Sequence, residues 1–217
     1  MAFKNILFDL DGTITNSFEG IANSILYSLK YYPAIETPER DTLLPFVGPP
    51  LTVSYAKYFG MDEKTAREAV DHYREYYRET GILELSLYDG IADLLRELYE
   101  KGYRVILATS KPEVFAKRII EKFGIAQYFC AVCGDTLDGK LGKKEDVIKK
   151  LLDENELDKN ETLMIGDTHY DIIGARLNDV RCVEVTYGFG DPELNKQAKP
   201  FKTVDSVAQL REFILNN

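Results

Sequence analysis

The chain has 217 residues, of which 45% are hydrophobic and 29% are charged, a balance typical of a globular protein and not of a disordered one. It contains 27 Lys and Arg and 36 Asp and Glu residues, which gives a net charge of −9. This charge excludes extensive binding to a nucleic-acid backbone. The charge is still compatible with one small phosphorylated ligand, because a metal ion and a few nearby cationic side chains can make the electrostatic potential of a pocket positive. The length predicts one core domain with an insertion, or two small domains.

Neither a membrane partner nor export is expected. No apolar run approaches the roughly 20 residues of a membrane helix, and the first residues, MAFKNILFDLDG, do not resemble a secretory signal. Three cysteines argue against a disulfide framework and for a reducing compartment, which predicts a cytoplasmic protein. Cys130 and Cys133 form a C-x-x-C pair inside a predicted strand, where they would point to opposite faces, so we expect buried core cysteines.

Strands and helices alternate along most of the chain. Short apolar runs predict buried strands at Ile6–Asp9, Arg104–Thr109, Phe129–Gly134, Leu163–Gly166 and Cys182–Thr186. Helical periodicity marks Gly90–Lys101, Glu113–Phe123, Glu145–Glu154, Tyr170–Leu177 and Asp205–Leu215. This alternation predicts an α/β fold with a doubly wound, Rossmann-like parallel sheet.

One interval, from Asn16 to Gly81, has no convincing strand. Its helical segments are Ile21–Tyr31, Leu51–Phe59 and Lys64–Glu79, and several prolines lie between the first and the second segment. We therefore predict a helical bundle of residues 16–81 inserted in a core domain of residues 1–15 and 82–217. Eight of the 14 tyrosines lie in this interval. Packing within the bundle is the expected role of these tyrosines, and stacking on a nucleobase is the alternative.

Four carboxylates follow two of the predicted strands. Asp9 and Asp11 end the first strand and point to the same side, and Gly12 lets the chain turn away before Thr13. Asp167 and Asp171 follow the fourth strand, four residues apart at the start of a helix. Helix capping would explain the second pair alone, but four carboxylates at one sheet edge repel each other unless a cation is present. Hard oxygen ligands without a matching His/Cys set favour Mg²⁺.

Two other segments supply candidate anion-binding groups. Thr109, Ser110 and Lys111 follow the second strand, where hydroxyl and backbone N–H groups precede a helix and can bind an anion. Lys143 and Lys144 precede a further helix. The spacing of Lys144 from Val147 and Ile148 places it near the buried face and favours it as the site lysine, although Lys143 stays possible.

Taken in order, these motifs resemble the haloacid dehalogenase (HAD) superfamily of Mg²⁺-dependent phosphatases. Residues 9–13 match its DxDGT motif, Thr109 its Thr/Ser motif, Lys144 its lysine motif and residues 166–171 its GDxxxD motif. The helical insert looks like a type 1 cap of this superfamily. Residues 13–20, 48–51 and 109–112 look most like the phosphoglycolate phosphatase and bacterial 5′-nucleotidase branch, from which Ser110 departs because Asn is common there.

The resemblance implies a role for each motif residue. Asp9 would be the nucleophile that forms an aspartyl-phosphate, and Asp11 the proton donor and acceptor. The Mg²⁺ ligands would be the Asp9 side chain, the Asp11 carbonyl and Asp167. Thr109 and Lys144 would hold the phosphoryl oxygens, and Asp171 would orient Lys144 or a metal-bound water. Gly12, Thr13, Ser110 and Lys111 would bind the substrate.

The expected activity is hydrolysis of a small phosphorylated metabolite by a monomer or small homo-oligomer. A phosphosugar mutase would use the same intermediate, and a phospho-signalling receiver would use clustered aspartates, Mg²⁺, Thr and Lys, but needs no helical insert. A non-catalytic binding protein is the remaining alternative. The motifs alone leave the physiological phosphate ester and the oligomeric state open.

Overall fold

The computed structural model describes residues 3–217, and its main feature is a parallel sheet. The strands are β1 (Asn5–Phe8), β2 (Thr15–Asn16), β3 (Ser86–Leu87), β4 (Arg104–Pro112), β5 (Ala131–Asp135), β6 (Thr162–Gly166), β7 (Arg181–Val185) and β8 (Lys202–Val204). Six of them form one sheet in the order β5-β4-β1-β6-β7-β8, in which all neighbouring strands are parallel. The predicted doubly wound α/β core is confirmed.

The helices are α1 (Phe18–Leu29), α2 (Leu51–Phe59), α3 (Glu63–Glu79), α4 (Ile91–Glu100), α5 (Glu113–Lys122), α6 (Lys144–Glu154), α7 (His169–Leu177), α8 (Pro192–Ala198) and α9 (Val207–Leu215). Short 3-10 helices occupy Arg40–Phe46, Gly81–Leu83, Ala126–Tyr128 and Lys159–Glu161. Sequence reasoning missed α8 and the edge strand β8. Among the described residues, no helix combines the length and apolar character needed to cross a membrane.

The centre of the sheet is apolar on both faces, as a strand between two helix layers requires. Ile6, Leu7 and Phe8 of β1 are all fully buried. Helices α6 and α7 cover one side, where Val147 and Ile172 pack with Leu7. The parallel pairing of β1 with β4 and β6 places the carboxyl ends of these strands at one edge of the sheet. Ligands commonly bind at this edge of a parallel sheet.

The three cysteines correct one expectation. Cys133 and Cys182 are buried, but Cys130 is exposed. The predicted strand over 129–134 in fact begins at Ala131, so Cys130 precedes the strand and does not face its core side.

The chain divides into two compact units. One comprises Asn16–Ser86, and the other comprises the described residues before Asn16 together with Leu87–Asn217. In the helical unit, α1 packs on α3 and on the 3-10 helix Gly81–Leu83. Gly20 of α1 and Gly81 are so close that a Cβ atom on either would overlap the carbonyl oxygen of the other. Tyr55 is fully buried with its hydroxyl 2.5 Å from the Ser28 hydroxyl, whereas Tyr31 is 49% exposed. The tyrosines of this unit are therefore partly core and partly surface.

Candidate active site

Three buried carboxylates meet at the carboxyl edge of the sheet. Asp9 follows β1, Asp167 follows β6, and Asp171 lies in the first turn of α7; each is at most 6% exposed. One carboxylate oxygen from each lies within 4.8 Å of the others. The backbone N–H of Asp9 donates to the carbonyl of Ile165 at 2.9 Å, so strand pairing holds Asp9 in line with the end of β6.

The Lys144 ammonium lies among these carboxylates. Its Nζ atom is 2.7 Å from Asp9 Oδ1 and 2.8 Å from Asp171 Oδ1, and it also donates to the Ala108 carbonyl at 3.0 Å. Lys144 begins α6 with its side chain 3% exposed, whereas the side chain of Lys143 is exposed. The rotation of α6, set by its buried apolar face, thus brings Lys144 into the site and leaves Lys143 outside it.

Burial and charge shift the pKa values of this cluster. Loss of solvent raises the pKa of Asp9 from 3.8 to about 6, even though the Lys144 ammonium acts in the opposite direction. Burial, reinforced by the charges of Asp171 and Asp9, raises the pKa of Asp167 well above its ordinary range. Burial disfavours the charged form of Lys144 as well, but Asp171 and Asp9 outweigh that effect and raise its pKa.

Asp171 has two roles in the structure. Its Oδ2 atom accepts hydrogen bonds from the backbone N–H of Thr168 at 3.0 Å and from the Thr168 hydroxyl at 2.8 Å, which forms a capping box at the start of α7. Its Oδ1 atom is the one beside Lys144. Helix capping, which the sequence offered as an alternative to a place in the site, is therefore combined with contact to the site lysine in one carboxylate.

Asp167 is held by groups that sequence reasoning missed. The backbone N–H of Phe189 donates to Asp167 Oδ2 at 2.7 Å, and Asn195 Nδ2 donates to the Asp167 carbonyl at 2.6 Å. A Cβ atom on Gly12 or Gly188 would overlap Asp167, so both positions need glycine. The only sequence feature that could have indicated this support of Asp167 is the pair of glycines in the TYGFG segment that follows β7.

The cluster fits a divalent cation. Within residues 3–217, the Asp167 Oδ1 atom is buried without a hydrogen-bond partner, an arrangement that costs free energy unless a ligand satisfies the atom. When all three carboxylates are ionised, the single Lys144 charge leaves two negative charges uncompensated. Hard carboxylate oxygens suit Mg²⁺ or a similar ion.

The remaining motif residues lie beside this cluster. Thr109 is buried, and its hydroxyl accepts a hydrogen bond from the backbone N–H of Lys111 at 3.1 Å. Thr13 is fully buried, and the half-buried Ser110 lies on β4. The Asp11 side chain does not join the carboxylate cluster and pairs instead with Lys111. Gly12, with φ of 83°, makes the turn between Asp11 and Thr13.

Comparison with known proteins agrees with this geometry. Residues 6–185 match the family model of haloacid dehalogenase-like hydrolases. The chain belongs to this family. The match spans every motif residue from Asp9 to Asp171, so the predicted superfamily and the predicted enzyme class, a hydrolase acting on phosphate esters, are confirmed.

Relatives resemble the chain over most or all of its length. It is 41% identical over 214 residues to a 5′-nucleotidase of Pseudomonas aeruginosa, a match that covers 99% of this chain and 96% of that protein. It is 38% identical to the tyrosine-protein kinase PtkA of Mycobacterium tuberculosis over 85% of this chain and 62% of that protein. The crystal structure of a predicted phosphatase from Clostridium acetobutylicum superposes with a TM-score of 0.96 at 44% identity, covering 100% of both chains.

Proposed function

We propose that the protein is a Mg²⁺-dependent phosphomonoesterase that acts through an aspartyl-phosphate on Asp9. The observation that carries this proposal is the placement of the Asp9 carboxylate, buried at the sheet edge and 2.7 Å from the Lys144 ammonium. An exposed carboxylate would be a solvated, weak nucleophile, whereas a desolvated one beside cations can approach an anionic phosphoryl group.

The reaction divides into two steps. An Asp9 oxygen attacks phosphorus as the bond from phosphorus to the leaving oxygen breaks, and Asp11 gives its proton to that oxygen. Water then attacks the aspartyl-phosphate, Asp11 takes back a proton, and the bond between phosphorus and Asp9 breaks to release phosphate. Lys144 and the Thr109 hydroxyl stabilise the phosphoryl oxygens, and Asp171 keeps Lys144 in place. Gly12, Thr13 and Ser110 supply the adjoining backbone and hydroxyl groups.

The proposed Mg²⁺ ligands are the Asp9 and Asp167 side chains and the Asp11 carbonyl. When bound, the ion neutralises negative charge on the phosphoryl group and orients it toward Asp9. Phe189 and Asn195 keep Asp167 ready for this role, since partners outside the ligand set fix the orientation of a ligand.

The proposed substrate class is a small phosphomonoester, either phosphoglycolate-like or a nucleoside 5′-monophosphate. The name of the Pseudomonas aeruginosa relative supports the nucleotide, and the sequence motifs support both. The three cysteines are free, which supports a reducing, cytoplasmic location.

The test is phosphate release from a panel of phosphoglycolate, nucleoside 5′-monophosphates, hexose phosphates and an aryl phosphate, with Mg²⁺ and with EDTA. We expect release by the wild type with Mg²⁺ only, and at least a 10³-fold lower rate, on the order of the loss of a catalytic nucleophile, for Asp9→Asn. Asp146→Asn, an exposed aspartate on α6, is the matched control and should retain activity. Near-normal rates for Asp9→Asn would contradict the proposed nucleophile.

The same panel separates hydrolysis from phosphosugar mutation. A mutase returns an isomeric hexose phosphate, whereas the proposed enzyme releases only inorganic phosphate.

A further inference from the structure

Lys111 and Asp11 form a largely buried ion pair at the edge of the site. The Lys111 Nζ atom is 2.7 Å from Asp11 Oδ2 and 3.0 Å from Oδ1, so the ammonium contacts both oxygens of the carboxyl group. Their side chains are 6% and 12% exposed. An ion pair with so little exposure restricts the orientation of both side chains more than a surface pair does, because little solvent competes for either group.

The backbone around Lys111 is built to hold this residue. The Thr109 hydroxyl accepts the Lys111 N–H at 3.1 Å, and the pairing of β4 with β5 changes register between Ala108 and Pro112. Gly134 of β5 passes so close that a Cβ atom there would stand 2.5 Å from the Lys111 carbonyl. Such an irregularity at the end of a strand commonly redirects one side chain next to an active site.

Asp11 has few other constraints. Its carboxyl group follows the end of β1 and precedes the Gly12 turn, and it lies outside the buried carboxylate cluster. Among residues 3–217, its side chain accepts hydrogen bonds only from Lys111. Without that ammonium, the carboxyl group could rotate about its side-chain bonds, and its distance from a leaving oxygen would no longer be set.

We propose that Lys111 is a positioning residue that holds the Asp11 carboxyl group in its proton-transfer orientation, and not a residue that binds the phosphoryl group. This inference rests on the proposed function, because it assumes that Asp11 exchanges a proton with the leaving oxygen. It replaces the substrate-binding role that the sequence motif had suggested for Lys111.

The decisive measurement compares two esters that need the proton to different degrees. The leaving group of 2,4-dinitrophenyl phosphate departs as a stable anion, whereas that of an alkyl ester such as glycerol phosphate must be protonated. Since kcat/KM reports the first step, Lys111→Met should lower kcat/KM for the alkyl ester by about 10²-fold and for the dinitrophenyl ester by less than about fivefold. A phosphoryl-binding lysine would lower both values equally.

A double-mutant cycle tests the same idea by another route. If Lys111 acts through Asp11, Asp11→Asn should cost much less in the Lys111→Met background than in the wild type, on alkyl ester. Lys111→Arg keeps a positive charge that can donate hydrogen bonds to a carboxylate. This variant should therefore retain most of the wild-type activity on the alkyl ester, even if Lys111→Met unfolds. Lys149→Met, which removes an exposed lysine of α6, should behave as wild type on both esters.

The outcomes separate the two proposals. Equal losses on both esters, or additive effects of the Lys111 and Asp11 substitutions, would overturn the positioning role while leaving the phosphatase intact. If the wild type hydrolyses neither ester, the proposed function and the inference are both overturned.

Discussion

The pH dependence of stability in the metal-free protein offers a direct test of how deeply Asp9 is buried. Burial raises its pKa from 3.8 to about 6 in the folded protein, and a difference of that size corresponds to about 3 kcal/mol. Between these two values the unfolded chain has lost the Asp9 proton while the folded protein still holds it. Folding stability from this group is therefore full below pH 4 and is lost as the pH rises through about 6.

Asp9→Asn removes this titration and leaves Lys144 paired with Asp171. The difference in the free energy of unfolding between Asp9→Asn and the wild type should thus increase by about 3 kcal/mol from pH 3 to pH 7, in favour of the variant. Urea unfolding in EDTA, followed by circular dichroism at several pH values, measures this difference directly. Subtracting the two proteins cancels the titration of the carboxylates that they share outside this cluster.

The exposed Asp146 supplies the control, because Asp146→Asn removes a carboxylate that lies outside the buried cluster. Saturating Mg²⁺ should remove or reverse the pH trend of the wild type, since a bound cation favours the ionised carboxylate. A flat difference for Asp9→Asn in EDTA would refute the argument that desolvation dominates at this site.

Three further predictions concern the groups around the carboxylates. Lys144→Met should lower kcat by about 10³-fold or more, whereas Lys143→Met should stay within twofold of wild type in the same phosphate-release assay. Gly188→Ala should destabilise the protein by about 1–3 kcal/mol in urea unfolding, because its new methyl group overlaps Asp167; an unchanged midpoint would contradict the close packing. Asn195→Ala should weaken Mg²⁺ binding about 10- to 100-fold by calorimetry, and unchanged affinity would show that its hydrogen bond to the Asp167 carbonyl is irrelevant to the metal.

Most of the core fold was predictable because its signals are local. The strands β1, β4, β6 and β7 are short apolar runs, and their observed bounds differ from the predicted ones by at most three residues. The missed elements α8 and β8 have weak signals: α8 is seven residues of mostly polar character, and two of the three residues of β8 are exposed. The edge position of β8 in the sheet explains that exposure.

The sequence by itself determined the chemistry at each strand end, because residue type and spacing within one motif decide which groups a strand can present. Asp9 and Asp11 after β1, and Asp167 and Asp171 around the start of α7, needed no knowledge of distant contacts. The choice of Lys144 over Lys143 was favoured by spacing, and the buried ion pairs with Asp9 and Asp171 agree with it.

Only the tertiary structure decided which groups meet across long separations. Lys111 contacts Asp11 from 100 residues away, and the amide that supports Asp167 belongs to Phe189, 22 residues further along the chain. A backbone N–H carries no residue-specific signal, and a lysine side chain can extend toward several partners. Such contacts are set by how strands end, turn and pack, so they emerge only when the whole sheet edge is assembled.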